Sequence, residues 1–264
     1  MSSLAWPLVK IGALESIAFR LRPIMALSAY PVTIFANYCL YMAVFSHRET
    51  VAGYTVGEAV TYIGIAWLMR STFKTNTDRH IGYRVRSGDI ALDLMRPIYY
   101  PALVFWQNLG RTLSRLLIIS VPLIVFSKLA MNITTPRDLK TWAFFAASVA
   151  IAHLMVFSID FMVGVSAFFV EFNVEFAWTI DLTVRLMAGL VIPIDFFPKA
   201  FASVLLHSPL KYIYFLPIQI YLGRIPAEEI APALFSGFLW LMGMLLAAHI
   251  LFKAGTRRLT IQGG

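Results

Sequence analysis

Ionisable residues are scarce in this chain, so the places where they gather are where its chemistry has to lie. Charged residues make up 14% of its 264 residues. The densest gathering is TDRHIGYRVRSGDIALDLMRP, residues 77–97, with Arg79, Arg84, Arg86 and Arg96 against Asp78, Asp89 and Asp93. Acids and bases interleaved on one polar island suit docking to another protein through ion pairs. The end of the island has helical shape. Asp89, Leu92, Asp93 and Arg96 recur at i, i+3, i+4 and i+7, which is one helix face with a leucine in it. Gly88 precedes that short helix and Pro97 stops it. The alternative is an ordinary solvated loop with a basic excess.

A second set of charges lies inside apolar runs, where ionisable groups are costly and are candidates for function. Glu58 is one. His153 and Asp160 are seven apart and share a helical face. Asp181 and Arg185 have i, i+4 spacing and can pair with each other. Arg111 and Arg115 also share a face, at a depth similar to Asp160. Two chemistries fit: ion pairs between helices that hold a bundle, or the polar lining of a translocation path or proton relay. Pairing is favoured, because opposite charges are available.

The signatures of intrinsic catalysis are missing. There is no G-x-x-x-x-G-K-[ST] phosphate loop, no H-E-x-x-H, no Cys/His cluster and no G-x-S-x-G elbow. His47, His80, His153, His207 and His249 are scattered, and Cys39 is the one cysteine. The chain is expected not to be an enzyme and to carry no metal or cofactor.

The elements that position these charges follow from composition. With 59% hydrophobic residues and a mean hydropathy of +0.74, the chain is far more apolar than a soluble domain. Its long apolar runs suit helices crossing a bilayer core of roughly 30 Å. The fold class is all-α: a single polytopic membrane domain over 1–264 with six transmembrane helices, at 23–46, 54–73, 101–127, 141–170, 176–192 and 228–252. Residues 7–22 read as an amphipathic helix lying in the membrane interface, with Ile11, Leu14, Ile17, Ala18 and Leu21 on one stripe. Pro31 is expected to kink the first span. Residues 75–97 form the polar coupling loop, and a tight turn at 171–175 joins the fourth and fifth spans. The stretch 193–224 is broken by Pro193, Pro198, Pro209 and Pro217, so it reads as short helices dipping part way into the membrane. Repeats of the transporter kind are not evident.

The net charge of +8 reads as attraction to anionic lipid rather than nucleic acid. Lys10, Arg20, Arg22, Arg70, Lys74, Arg79, Arg84, Arg86, Arg96, Lys253, Arg257 and Arg258 fall in the N-terminal segment, the coupling loop and the C-terminal tail. The positive-inside rule therefore places both termini and the loop in the cytoplasm. No cleavable signal is expected at the N-terminus.

The run Val85–Pro97, VRSGDIALDLMRP, resembles the R-x-G…L-L-R-P segment of type-2 ATP-binding-cassette exporter permeases, in particular a bacterial six-span subfamily. Met95 stands where that pattern often has leucine. Gly189–Pro198, followed by Ser208-Pro209, Leu216-Pro217 and Gly223, is similar to the family's G-x-x-x-P-x-x-x-x-P…P…P…G stretch, and Arg257-Arg258…Gly263-Gly264 to its ending. The resemblance implies a permease that pairs with a second permease, identical or closely related, and with a separate cytoplasmic ATPase subunit that holds ATP and Mg. It implies an ATPase-coupling helix formed by Arg86, Gly88, Asp89, Leu92, Asp93 and Arg96. It implies outward-side helices shaped by Pro193, Pro198, Pro209 and Pro217, and location in the bacterial inner membrane. The expected function is export of a substrate that the sequence does not name; the 21 phenylalanines and 11 methionines suit an apolar or amphipathic cargo. Two alternatives come from other classes: a proton-coupled secondary transporter using Asp160 and His153, and a membrane scaffold whose loop recruits a soluble partner.

Overall fold

The helix at the centre of the bundle is defined at both ends by local chemistry. Thr55 accepts the Glu58 backbone N–H at 3.3 Å, and the Glu58 carboxylate accepts the Thr55 backbone N–H at 2.8 Å. This reciprocal capping box starts α3, Val56–Phe73. Just ahead of it, β1 (Thr50–Val51) and β2 (Tyr54–Thr55) form a small antiparallel hairpin whose turn holds Ala52 and Gly53 at positive φ. At the other end Asn76 takes a left-handed conformation, φ 54°, and redirects the chain.

The computed structural model describes residues 2–18, 21–131, 133–136, 138–170 and 174–258. These form an all-α protein with the following order of helices: α1 (Ser2–Ala18), α2 (Leu21–Phe45), α3, α4 (Thr77–Ser87), α5 (Ile90–Leu94), α6 (Tyr100–Arg115), α7 (Val121–Met131), α8 (Leu139–Val165), α9 (Val174–Met187), α10 (Lys199–His207), α11 (Phe215–Tyr221) and α12 (Ala227–Thr256). A π-helical turn, Leu116–Ser120, joins α6 to α7.

Among the described residues four segments are long and apolar enough to cross a membrane: Leu27–Phe45, Tyr100–Met131, Leu139–Phe168 and Ala227–Thr256. The other two expected spans are shorter. α9 has 14 residues, about 21 Å of rise against a core of roughly 30 Å. α3 has 18 residues, most of them buried among other helices. Its residues Tyr62, Ile63, Ala66 and Phe73 anchor the main core together with Ile119, Met155, Leu190 and Ile218. A second core, with Leu8, Ile81, Ile90, Val104, Phe161 and Phe252, closes the end of the bundle that carries residues 77–97.

The first helix differs from its expected bounds. It begins at Ser2 and keeps Pro7 inside it, where the first-turn N–H groups have just run out. It ends at Ala18; Arg20 lies outside the described residues. Ile11 and Leu14 of the expected stripe are exposed, whereas Leu8 and Gly12 are buried. α1 packs along α6, and this pairing depends on two glycines. A Cβ on Gly12 would lie 2.0 Å from the Gln107 carbonyl oxygen, and one on Gly110 would lie 2.0 Å from that of Val9.

Pro31 lies inside α2 without ending it. The stretch 193–224 is a chain of short pieces: a 3-10 turn at Ile194–Phe196, α10, a second 3-10 turn at Pro209–Tyr212, and α11. Pro193 and Pro198 precede the first two pieces, Pro209 opens the third, and Pro217 sits in the first turn of α11. Each falls where the missing N–H has no intrahelical partner to lose. The 171–175 turn, Asn132, Arg137 and Gly263-Gly264 lie wholly or mostly outside the described residues.

Candidate functional site

Residues 77–97 form a helical hairpin. The expected loop is replaced by α4, eleven residues long, followed by the short α5. Gly88 ends α4 at φ 81°, a left-handed C-cap that a side chain would strain. Its role is therefore to turn the chain between two helices. The Arg84 guanidinium meets the Asp93 carboxylate across the hairpin, and Arg84 Nη2 also donates to the Asp89 carbonyl at 3.2 Å. Ser87 Oγ donates to Asp89 Oδ2 at 2.8 Å. Arg96 approaches Asp93 from the far side at 3.5 Å.

These contacts split the expected helix face in two. Asp93 and Ile90 are buried, with Asp93 latching α5 onto α4. Leu92 and Met95 point outward, 62% and 82% exposed. Asp89 and Arg96 flank them and are exposed, as is Arg86. The result is an apolar knob rimmed by charge and held on a braced hairpin. Met95, which stands where the family pattern often has leucine, is the most exposed apolar side chain of the hairpin.

Other elements fix the hairpin to the bundle. Asn108 on α6 donates to Thr75 Oγ1 at 2.6 Å and Thr77 Oγ1 at 2.7 Å, pinning the α3–α4 junction. α4 lies on α8 so closely that a Cβ on Gly164 would come within 2.6 Å of the Ile81 Cβ.

The interior charges are sorted differently from their sequence spacing. Asp181 on α9 is a hub. Arg70 Nη2 reaches its Oδ2 at 2.7 Å, Arg185 Nε the same oxygen at 3.3 Å, and Lys74 Nζ its Oδ1 at 3.2 Å. The expected Asp181–Arg185 pair is there, but Arg70 and Lys74, read in sequence only as the basic end of a span, are its other partners. Asp160 lines a narrow cleft with Asp78, Arg70, Asp181 and Tyr214.

The expected matching of Arg111 and Arg115 to Asp160 is not found. Arg111 pairs with Glu15 of α1 at 2.9 Å. Arg115 donates to the Ser71 carbonyl at 2.8 Å and to Tyr30 Oη at 3.5 Å. The reason is rotational. Arg111 and Arg115 lie on faces of α6 turned to α1, α2 and α3, whereas Asp160 on α8 faces α4 and α9. His153 shares α8 with Asp160, yet its ring lies 5.6 Å from that of Phe73 with neither nitrogen partnered. Among the described residues no group of three metal-ligating side chains assembles.

At the opposite end of α3, a cluster invisible in sequence ties the β1–β2 hairpin to the proline-broken stretch. Tyr54 Oη donates to Asp195 Oδ2 at 2.6 Å, and Gln219 donates to Tyr54 Oη. The Arg224 guanidinium stacks 3.8 Å from the Tyr54 ring centroid and reaches Glu58 at 3.4 Å. Glu58, a candidate for function by its position in an apolar run, thus serves as helix cap and ion-pair partner.

A family model described as "ABC-2 family transporter protein" matches residues 31–263. No curated protein matches the chain.

Proposed function

Because the chain belongs to the ABC-2 family of transporter proteins, we propose that it is the membrane permease subunit of an ATP-driven exporter in a bacterial inner membrane. Hydrolysis is assigned to a separate cytoplasmic ATPase subunit that binds ATP and Mg, and a second permease, identical or closely related, completes the path. In this reading α3 and α9 join the four long segments to give six spans, with both termini and the α4–α5 hairpin cytoplasmic. The proline-broken stretch 193–224 then lies at the outer side and shapes the exit.

The observation that carries the reading is the braced hairpin with its outward Leu92 and Met95. Such a knob, ringed by Asp89, Arg86 and Arg96, has the form of an anchor for a groove in a soluble partner. α4 is seated on α8, so a push on the knob is delivered to a membrane helix. The two permeases respond by rocking, which opens the path outward.

The test is co-purification of the tagged chain from its native host with a phosphate-loop ATPase subunit. Charge reversal, Asp89→Lys or Arg96→Glu, is expected to lower recovery of the ATPase and the ATP hydrolysis it supports. Leu92→Asp is expected to lower recovery by about tenfold or more, the scale of a lost interface anchor. Recovery and hydrolysis equal to the parent in all three would sink the docking role.

A second reading rests on Asp160, which lines a narrow cleft with Asp78, Arg70 and Asp181: proton-coupled transport. In that case Asp160→Asn abolishes transport at normal expression, with no dependence on the ATPase. Normal transport in Asp160→Asn would remove it.

A further inference from the structure

A cavity of about 710 Å³ opens beside the hairpin, between α1, α4, α6 and the start of α9. Its charged and titratable lining is Glu15, Lys74, Arg79, His80, Tyr83, Arg111 and Arg115. Among these described residues Lys74, Arg79, Arg111 and Arg115 are cationic and Glu15 is the one carboxylate; Lys74 shares its charge with Asp181 at 3.2 Å.

The side chain of interest is Arg111, which is only 9% exposed. It uses Nη1 for Glu15 and leaves Nε and Nη2 with no partner. These two nitrogens make the side-on edge of the guanidinium, the planar fork that grips a carboxylate or phosphate with two parallel hydrogen bonds. Leaving buried donors of a charged group unpaired is costly. Arg79 Nε is likewise buried and unpartnered. The competing carboxylate is weakly held, since the Glu15 side chain is 44% exposed. A ligand can therefore displace Glu15, and Arg111 can turn its fork to it.

We propose that this cavity is a binding site for a phosphate-type oxyanion, with Arg111 as the bidentate partner and Arg79 as the second cation. The same chemistry is offered by the headgroup of an anionic phospholipid or by free phosphate. The volume suits a headgroup-sized ligand, and the exposed Ile11 and Leu14 on α1 provide apolar surface beside it. The site stands on binding alone and goes beyond the exporter reading, which can fail without affecting it.

The test uses the purified full chain without any ATPase. In one arm, native mass spectrometry counts adducts with phosphatidylglycerol and with phosphatidylcholine. In the other, broadening of the phosphorus resonance reports inorganic phosphate. Arg111→Gln and Arg79→Gln are compared with Lys10→Gln, which removes an exposed charge from α1 outside the cavity. Phosphatidylglycerol adducts about tenfold weaker in Arg111→Gln and Arg79→Gln, but not in Lys10→Gln, support a lipid headgroup; this is the scale of one charge-assisted hydrogen bond. Phosphate broadening lost in the same two variants, with lipid adducts unchanged, supports the free anion. If Arg111→Gln does not fold, Arg111→Lys, which keeps the charge but loses the fork, is expected to weaken the signal. Binding in the Arg111 and Arg79 variants equal to that in Lys10→Gln, in both arms, would overturn the proposal.

Discussion

Replacing Asp181 with alanine is expected to cost the chain most of its folded yield. The carboxylate is shared by Arg70, Lys74 and Arg185, and Arg70 is buried. Removing the anion takes away the one carboxylate that all three cations contact. Breaking a buried ion pair by deleting one partner costs about 3–5 kcal/mol, because the remaining charge is left uncompensated. Here two helices, α3 and α9, are joined by that anion, so the loss separates elements as well as charges. The measurement is monodisperse yield and thermal midpoint in detergent. Arg185→Gln should cost less, since Arg185 is on the same helix as Asp181 and the less buried of the two arginines. The double variant Arg70→Leu/Asp181→Leu should recover stability relative to Asp181→Leu alone, because it removes both members of the pair. A midpoint for Asp181→Ala equal to the parent would show that the hub carries no such load.

A comparable effect is expected from a single methyl group at Gly110. The added Cβ would sit 2.0 Å from the Val9 carbonyl oxygen and 2.9 Å from the Ala13 backbone nitrogen. Backbone atoms of a helix cannot step aside as a side chain can, so α1 has to lift from α6. Overpacking of this kind costs about 1–3 kcal/mol. The lift also separates Glu15 from Arg111. Gly110→Ala is therefore expected to lower the thermal midpoint and to speed modification of a cysteine placed at buried Leu8. Gly12→Ala, which meets the Gln107 carbonyl from the other side, should act alike. Substitution of Gly243, which has open space around it, provides the comparison. Unchanged labelling at position 8 in both glycine variants would show that α1 is not seated through these contacts.

Much of the architecture is legible in the chain because bilayer solvation acts on composition. A long apolar run has few alternatives to a helix once its backbone must be satisfied internally, and the four long segments follow from that rule. The breaks at Pro193, Pro198, Pro209 and Pro217 are equally local, since a ring without an N–H costs least in a helix's first turn or its approach, although Pro31 is carried inside α2. The i, i+4 pairing of Asp181 and Arg185 is intrinsic to a helix and could be read directly.

What spacing could not provide is rotation and approach between helices. The repeat of Asp89, Leu92, Asp93 and Arg96 defines a face, but only the packing of α5 on α4 divides it, burying Asp93 against Arg84 and leaving Leu92 outside. The helix of 77–87 was hidden by its own polarity, because a charge-dense run between apolar segments reads as loop; its seat on α8 beside Gly164 makes it a helix. Arg70 and Lys74 looked like the ordinary basic end of a span, and Tyr54, Asp195, Gln219 and Arg224 carried no pattern at all. Gly12 and Gly110 gave no signal either, because the closeness of two backbones is a property of the pair. Composition and periodicity act along one chain and so determined the class of protein and where its helices and breaks fall. Which charge meets which, and which side chains remain free for a partner, depends on helix rotation about axes that only the packed bundle fixes.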